Sequence, residues 1–308
     1  MKSTVEERST LVLGAGELGM SVLRSLTNEA HAGTVGVLIR PSSGESPDSR
    51  KQKNVEELRS LGVSFVVGDL ASSSVDELAE LMRPYETVIS CTGFVGGSGT
   101  QRTIAEAVLF AGVKRFVPWQ FGVDYDVIGR GSAQDLFDEQ LDVRDLLRSQ
   151  TNTQWVIVST GMFTSFLFEP SFGAFDLQQN VVHALGSWDN SVTITTAEDI
   201  GALTVRVLAA EPPITNQVVF TAGDTLTYRQ AADIVDQVLG RELQREVWTI
   251  PYLQEQLAHE PNSPIAKYRV VFAEGRGVSW PCDQTFNEQH RIPVTNVQSW
   301  LKSILHST

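Results

Sequence analysis

The sequence predicts an α/β fold, a doubly wound parallel sheet followed by a smaller C-terminal α/β domain. Two observations carry this. Short, continuous apolar runs alternate with helix-compatible segments through the first half, as expected for parallel strands covered on both faces and joined by right-handed crossovers. The first run, Leu11-Val12-Leu13, leads into Gly14-Ala15-Gly16-Glu17-Leu18-Gly19, a G-x-G-x-x-G pattern that opens a helix. Together they define a Rossmann-type domain with its ligand at the carboxyl ends of the strands. We place that domain at residues 1–160. Residues 161–308 are mainly a substrate-binding domain, with some elements returning to the first sheet.

The glycines have separate physical tasks. Gly14 turns the chain tightly out of the strand, Gly16 leaves room for a pyrophosphate against the backbone, and Gly19 lets helix and strand pack closely. The helix start, at Glu17 and Leu18, offers unsatisfied N–H groups and the positive end of a dipole to an anion. A dinucleotide is the ligand this pattern suits.

Strands are expected at 10–13, 34–39, 63–67, 87–91, 115–118 and 154–159. Helices are expected between them at 17–28, 54–61, 74–82, 101–110 and 133–148. The second strand ends at Arg40, about 20 residues past the glycines, where an acidic residue would bond a ribose 2′-OH and arginine suits a 2′-phosphate. The loop 41–53 adds Ser42, Ser43, Arg50, Lys51 and Lys53. Hydroxyls and cations gathered in an acidic protein favour NADP(H) over NAD(H), with Ser42 and Lys51 as candidate contacts. Asp69 closes the third strand, where an adenine amino group would be met. Thr92 and Gly93 close the fourth and open a glycine-rich loop, either a cofactor-facing segment or a surface loop. Cys91 reads as a small apolar strand residue.

Composition narrows the function classes. The chain has 42% hydrophobic and 20% charged residues and a net charge of −13. That acidity argues against non-specific nucleic-acid binding. No apolar run approaches the roughly 18 residues that span a bilayer. Two cysteines, Cys91 and Cys282, make no disulfide framework, which sets a reducing, cytoplasmic compartment as the default. The five histidines show no metal-binding spacing, so no metal site is expected.

Val113-Lys114-Arg115-Phe116-Val117-Pro118-Trp119-Gln120-Phe121-Gly122 resembles the "VKRF-x-PSEFG" stretch of the isoflavone reductase-like family, within the NmrA-like atypical short-chain dehydrogenases. The glycine motif, Val37-Leu38-Ile39-Arg40, Gly68-Asp69-Leu70, Gln101 and Glu198-Asp199-Ile200-Gly201 agree in order. The resemblance implies a Rossmann domain, a smaller substrate domain, NADPH and reduction of aromatic or polycyclic secondary metabolites. It also implies that Thr160 and Gly161 flank the nicotinamide, and that the region from Met162 onward opens the substrate pocket.

Two departures matter. The family's acid–base lysine lies in a pattern like F-x-x-K-x-x-V-R. The matching run here is Phe137-Asp138-Glu139-Gln140-Leu141-Asp142-Val143-Arg144, with Gln140 at the lysine position. The "SE" before Phe-Gly is Trp119-Gln120. An amide positions polar groups but does not exchange protons near neutral pH. No tyrosine has a lysine four residues on, so the Y-x-x-x-K dyad of other short-chain dehydrogenases is absent. Tyr125, between Asp124 and Asp126, is the nearest replacement acid, against the alternative of a solvated loop tyrosine. Catalytic candidates are therefore Gln140, Gln120 and Tyr125.

In the second half, Phe163, Phe166, Phe168, Phe172 and Phe175 follow neither helical nor strand spacing throughout, which favours a pocket wall. Trp119, Met162, Phe163 and Phe166 are the candidate substrate contacts. Strands are expected at 192–196, 217–221 and 245–250, and helices at 198–208, 227–239, 251–259 and 294–305. Residues 261–264 read as a loop. His183 and Trp188 are secondary substrate candidates. The reading is an NADPH-dependent reductase acting on a small molecule, with a homodimer as an option. The alternatives are a cofactor-dependent isomerase or cyclase without net redox, and a non-catalytic NADP sensor.

Overall fold

A computed structural model describes residues 9–29, 33–40, 49–94 and 96–306. The chain falls into two compact units. One comprises Met1–Gln120, Asp142–Ile157 and Ile200–Val218, the other Phe121–Leu141, Val158–Asp199 and Val219–Thr308.

The first unit is built on β1 (Ser9–Leu13), α1 (Glu17–Thr27), β2 (Thr34–Ile39), α2 (Ser49–Ser60), β3 (Ser64–Val67), α3 (Val75–Met82), β4 (Thr87–Ser90), α4 (Thr100–Ala111) and β5 (Arg115–Val117). After α5 (Tyr125–Ile128) and α6 (Leu136–Arg148) comes β6 (Gln154–Ser159). With β11 (Gln217–Phe220), these strands form a seven-stranded sheet in the order β11-β6-β5-β4-β1-β2-β3. Every pairing from β3 through β6 is parallel. The expected Rossmann sheet is therefore present, in the doubly wound order with its switch point beside β1.

The continuous apolar runs are explained by burial on both faces. Leu11 and Leu13 on β1 and Val88 on β4 have no exposed surface, and they join Leu78, Met82, Ile104 and Val108 from the flanking helices. Gly36 on β2 has a packing reason: a Cβ there would lie 2.5 Å from the Tyr85 hydroxyl. Helix α3 begins in a capping box between Ser74 and Glu77.

The helix expected at 54–61 starts earlier, at Ser49, so the basic residues assigned to a loop are largely its first turn. The polar run Ser49 to Asn54 hid that start from an apolar-periodicity reading. Ser42 and Ser43 lie outside the described residues, as does the side chain of Lys51. Helix α6 begins at Leu136 rather than 133.

The second unit holds two small sheets. One has the order β12 (Asp224–Thr227), β10 (Ser191–Thr195), β7 (Met162–Phe163), and the other β13 (Gln244–Trp248), β9 (Val181–Leu185), β8 (Phe175–Asp176). Its helices include α7 (Thr164–Leu167), α9 (Tyr228–Leu239), α10 (Ile250–His259), α11 (Pro264–Glu274), α12 (Phe286–Gln289) and α13 (Val297–His306). Helix α8 (Ala197–Leu208) is preceded by Thr196, whose hydroxyl accepts from the Asp199 N–H at 3.1 Å in the manner of an N-cap.

Strands β8 and β9 and helix α11 were not expected. Helix α11 follows the expected loop directly, with Ser263 as N-cap and Pro264 in its first turn. The aromatic run is largely interior packing: Phe172 and Phe175 are fully buried. Phe166 packs on Phe172 at 4.7 Å, and Phe168 lies between Phe175 and Trp300.

Candidate functional site

The carboxyl ends of β1, β2, β3 and β4 enclose a crevice of about 470 Å³ in the first unit. Its lining includes Gly14 and Gly16 from the glycine turn, Arg40 after β2, Asp69 after β3 and Thr92 after β4. Residues predicted from four separated points of the sequence thus meet on one surface, at the end of the sheet where such folds bind ligands.

The glycines divide by function. Gly14 has φ +95°, a left-handed conformation that favours glycine. A Cβ on Gly19 would lie 2.1 Å from the Gly14 carbonyl oxygen, so Gly19 is required for helix–strand contact. A Cβ on Gly16 would meet no protein atom within 4 Å. Packing does not require a glycine there, and the residue lines the crevice. Glu17 is exposed at the first turn of α1, whereas Leu18 is buried, leaving its backbone as the part suited to an anion.

Several lining residues escaped the sequence reading. Asn54 on α2 donates from Nδ2 to the Ala15 carbonyl at 3.3 Å and ties that helix to the glycine turn. Thr100 is another, whereas Leu70 beside Asp69 and Gly96 from the glycine-rich loop, which the sequence left as either cofactor-facing or a surface loop, line the crevice as well. Thr100 opens α4 after Gly99, so the glycine-rich loop delivers a second helix N-terminus to the same surface. An amide sharing a helical face with Leu58, four residues on, was the available signal for Asn54.

Cys91 also lines the crevice but is buried, and burial pushes its thiol well above the usual range. It is a neutral wall residue, not a nucleophile. Beside it, Gly93 has φ +61°, and Gln101 donates its side-chain amide to the Gly93 carbonyl. Trp119 stands against the open side of Gly93, its ring carbon Cζ2 3.5 Å from where a Cβ would sit. Gln120, next in the chain, is fully buried, and its Oε1 accepts from Arg144 Nε at 2.7 Å. Arg144 had entered the sequence reading only as the end of a motif.

The remaining candidates belong to the second unit. Tyr125 is not a solvated loop residue. It is the buried first residue of α5, capped by Asp124, with its ring edge-on to Phe137 at 4.9 Å. Its flanking acids misled the reading because Asp124 serves as a helix cap. Phe137 and Phe166 each meet the Tyr268 ring at 5.8 Å, and burial pushes the Tyr268 phenol up. Gln140 is fully buried on α6.

Thr160 and Gly161 both donate their N–H to the Gly122 carbonyl at 3.0 Å. Gly161 also lies against the Thr193 backbone, where a Cβ would approach to 2.1 Å. Met162 is buried in β7, and Phe163 and Phe166 are partly exposed. His183 stacks on Trp248 at 4.0 Å, and Trp188 lies under Arg245. Among the described residues, no group of three or more His, Cys, Asp or Glu side chains is arranged to hold a metal ion.

The first unit is thus a doubly wound sheet whose switch-point crevice is shaped for a phosphate-bearing dinucleotide. Residues 6–301 match the model of the NmrA-like family, and the chain belongs to that family. It is 46% identical over 297 residues to an NmrA-like family domain-containing oxidoreductase of Gibberella moniliformis, covering 96% of this chain and 97% of that one. Similarity extends to the phenylcoumaran benzylic ether reductase Pyrc5 of Pyrus communis, at 28% identity over 88% and 86% of the two chains. Among solved structures, an isoflavone reductase superposes with TM-score 0.80 at 19% identity, covering 97% of this chain and 99% of that one. A leucoanthocyanidin reductase–NADPH complex from Vitis vinifera gives 0.81 at 18% identity with the same coverages.

Proposed function

We propose that the chain is an NADP(H)-dependent oxidoreductase of specialised metabolism. It passes hydride between the nicotinamide and a bulky aromatic, polycyclic or alkaloid-like molecule. The observation that carries this reading is that Gly14, Gly16 and Arg40 line one crevice. Bare Gly16 and the start of α1 suit a pyrophosphate, and the planar fork of Arg40 suits a 2′-phosphate. The oxidoreductase and reductase names of its relatives support the same class.

When bound, the cofactor supplies the hydride. The chain supplies binding and orientation, which are large rate terms by themselves. Gln140 stands where the resemblance puts a proton-handling lysine. An acceptor that needs no proton from the protein at the hydride step fits that residue, and an iminium or strongly conjugated acceptor has this property.

The test is turnover with NADPH and a panel of polycyclic iminium and conjugated compounds, following reduced nicotinamide and product together. Matched consumption and reduction is the expected result. Product formed without consumption would replace hydride transfer by rearrangement. Tight NADP(H) binding without product from any compound would replace the enzyme by a sensor.

A further inference from the structure

Two helices begin at the crevice. Strand β1 leads through α1 to β2, and β4 leads through α4 to β5, in the opposite direction along the sheet. Right-handed crossovers that run in opposite directions place their helices on opposite faces. The packing agrees: Ile104 and Val108 of α4 share a cluster with Leu78 and Met82 of α3, whereas Arg24 of α1 pairs with Glu57 of α2. Both helix starts line the crevice, α1 through its N-cap Gly16 and α4 through its first residue, Thr100. The crevice thus receives the positive end of a helix dipole from each face of the sheet.

The start of α4 has its own features for an anion. Its N-cap is Gly99, which brings no side chain to the first turn, and that turn holds no acidic residue, whereas α1 carries Glu17 there. The Thr100 N–H reaches the Gly97 carbonyl at 3.4 Å, and the Gln101 N–H, one residue on, has no acceptor within the helix. Thr100 is only 7% exposed, yet its hydroxyl has no hydrogen-bond partner among the described residues. A hydroxyl that far from water is costly to leave unpaired. It is turned toward Gly96, which also lines the crevice: a Cβ on Gly96 would strike the hydroxyl and lie 2.6 Å from the Thr100 methyl. The φ of Gly96 is not left-handed, so the close approach of Thr100 is what calls for glycine there. Asp69, the acid on the crevice wall, follows β3, three strands from β4, which puts it roughly 14 Å along the sheet. Its Oδ1 accepts from the Ala71 N–H at 3.0 Å.

We propose that the start of α4 is a second phosphate contact. The Thr100 hydroxyl and the Gln101 N–H donate to the nicotinamide-side phosphate of a dinucleotide whose adenosine-side phosphate rests on α1. The inference depends on the dinucleotide reading above and assigns a separate helix start to each phosphate. The order follows the sheet: Arg40 after β2, Gly16 after β1 and Thr100 after β4 meet the 2′-phosphate, the first phosphate and the second in turn. A diphosphate held from both faces cannot slide toward either, which fixes how far the nicotinamide extends along the strand ends.

The experiment is binding of adenosine 2′,5′-bisphosphate, 2′-phosphoadenosine 5′-diphosphate and NADP+ to the full chain and to Thr100→Val, Thr100→Ser and Gly96→Ala. The first nucleotide lacks the second phosphate, and the other two carry it. The wild type is expected to bind 2′-phosphoadenosine 5′-diphosphate about tenfold tighter than the bisphosphate. Thr100→Val removes the hydroxyl and keeps the branched shape. It should weaken the diphosphate and NADP+ about tenfold and leave the bisphosphate unchanged. Thr100→Ser keeps the hydroxyl and should retain most of the affinity. Gly96→Ala displaces the hydroxyl and should show the same selective loss as valine, which gives a second reading through a different residue. Equal weakening of all three nucleotides in Thr100→Val, no weakening of any, or a serine variant as weak as valine would overturn the assignment. So would a wild type that binds the bisphosphate as tightly as the diphosphate. A wild type that binds none of the three would overturn the dinucleotide reading itself.

Discussion

The Nε–H of Arg144 donates to Oε1 of Gln120 across 2.7 Å, and both side chains are 0% exposed. A fully buried guanidinium is costly to desolvate, and a hydrogen bond from a charged donor offsets part of that cost. The contact ties the segment after β5 to the last turn of α6. Gln120 therefore has a structural task that its position in the family-like motif did not reveal.

Replacing Gln120 with leucine removes one acceptor from the buried Arg144 guanidinium. The expected cost is about 2–3 kcal/mol of unfolding free energy, read by urea denaturation. Gln120→Glu keeps an acceptor for the Arg144 Nε–H and should lose less stability than the leucine variant. A leucine variant as stable as wild type would show that the contact carries no weight.

The two glycines that flank the start of α1 should separate folding from binding. Gly19→Ala drives a Cβ to 2.1 Å of the Gly14 carbonyl oxygen, which no side-chain movement can relieve. A loss of about 1–3 kcal/mol is expected from overpacking. Gly16→Ala meets nothing in the protein, so thermal stability should hold while NADPH affinity falls at least about tenfold. Unchanged NADPH affinity in Gly16→Ala would place the phosphates elsewhere.

This pair also shows how far the sequence could be read. Gly14, Gly16, Arg40, Asp69 and Thr92 were legible because they follow strand ends, which apolar runs mark, and Gly19 by its spacing from the first two glycines. Asn54 and Thr100 were not, since each reaches the crevice from a helix whose first residue is polar. Tyr125 was misread because acids beside it suggested solvent. The core role of Phe172 and Phe175 was hidden because β8, β9 and α11 have no sharp periodicity. Local pattern marks an element; what packs against it is decided by residues far along the chain.

Gln140 tests the proton question. Gln140→Lys restores a titratable group and is expected to add slow reduction of ordinary ketones or enones, seen as NADPH consumption absent in wild type. Gln140→Ala should lower kcat on an authentic substrate with KM nearly unchanged, if the amide orients the reacting atoms. An alanine variant with wild-type kcat and KM would remove Gln140 from the reaction.

Arg24 on α1 and Glu57 on α2 form a two-pronged pair, with Nη2 donating to Oε2 at 2.9 Å. The hydrogen bond from Arg24 holds the Glu57 carboxyl below its ordinary value. A carboxyl depressed in the folded state stabilises above its unfolded pKa and loses that contribution as pH falls through the folded pKa. Both side chains are more than a third exposed, at 43% and 35%, so solvent screening keeps the coupling within about 1 kcal/mol. A double-mutant cycle with Arg24→Ala and Glu57→Gln should show it at pH 7, and it should shrink in acid below about pH 4. Coupling that persists undiminished in acid would mean that the contact is not ionic.

Arg40 should decide the cofactor. It is the cation on the crevice wall immediately after β2, and an acidic residue at this point would suit a ribose 2′-OH instead. Arg40→Ala removes a charge-assisted, planar contact to a 2′-phosphate, so NADPH affinity should fall about tenfold or more. NADH has no such phosphate, and its affinity should change little. Arg40→Lys keeps the charge but loses the fork and should recover only part of the NADPH affinity. The ratio of the two cofactors' affinities is the quantity to measure, because any general loosening of the crevice cancels in it. An unchanged ratio in Arg40→Ala would mean that this guanidinium does not touch the phosphate, and the preference for NADP(H) would have to come from elsewhere on the wall.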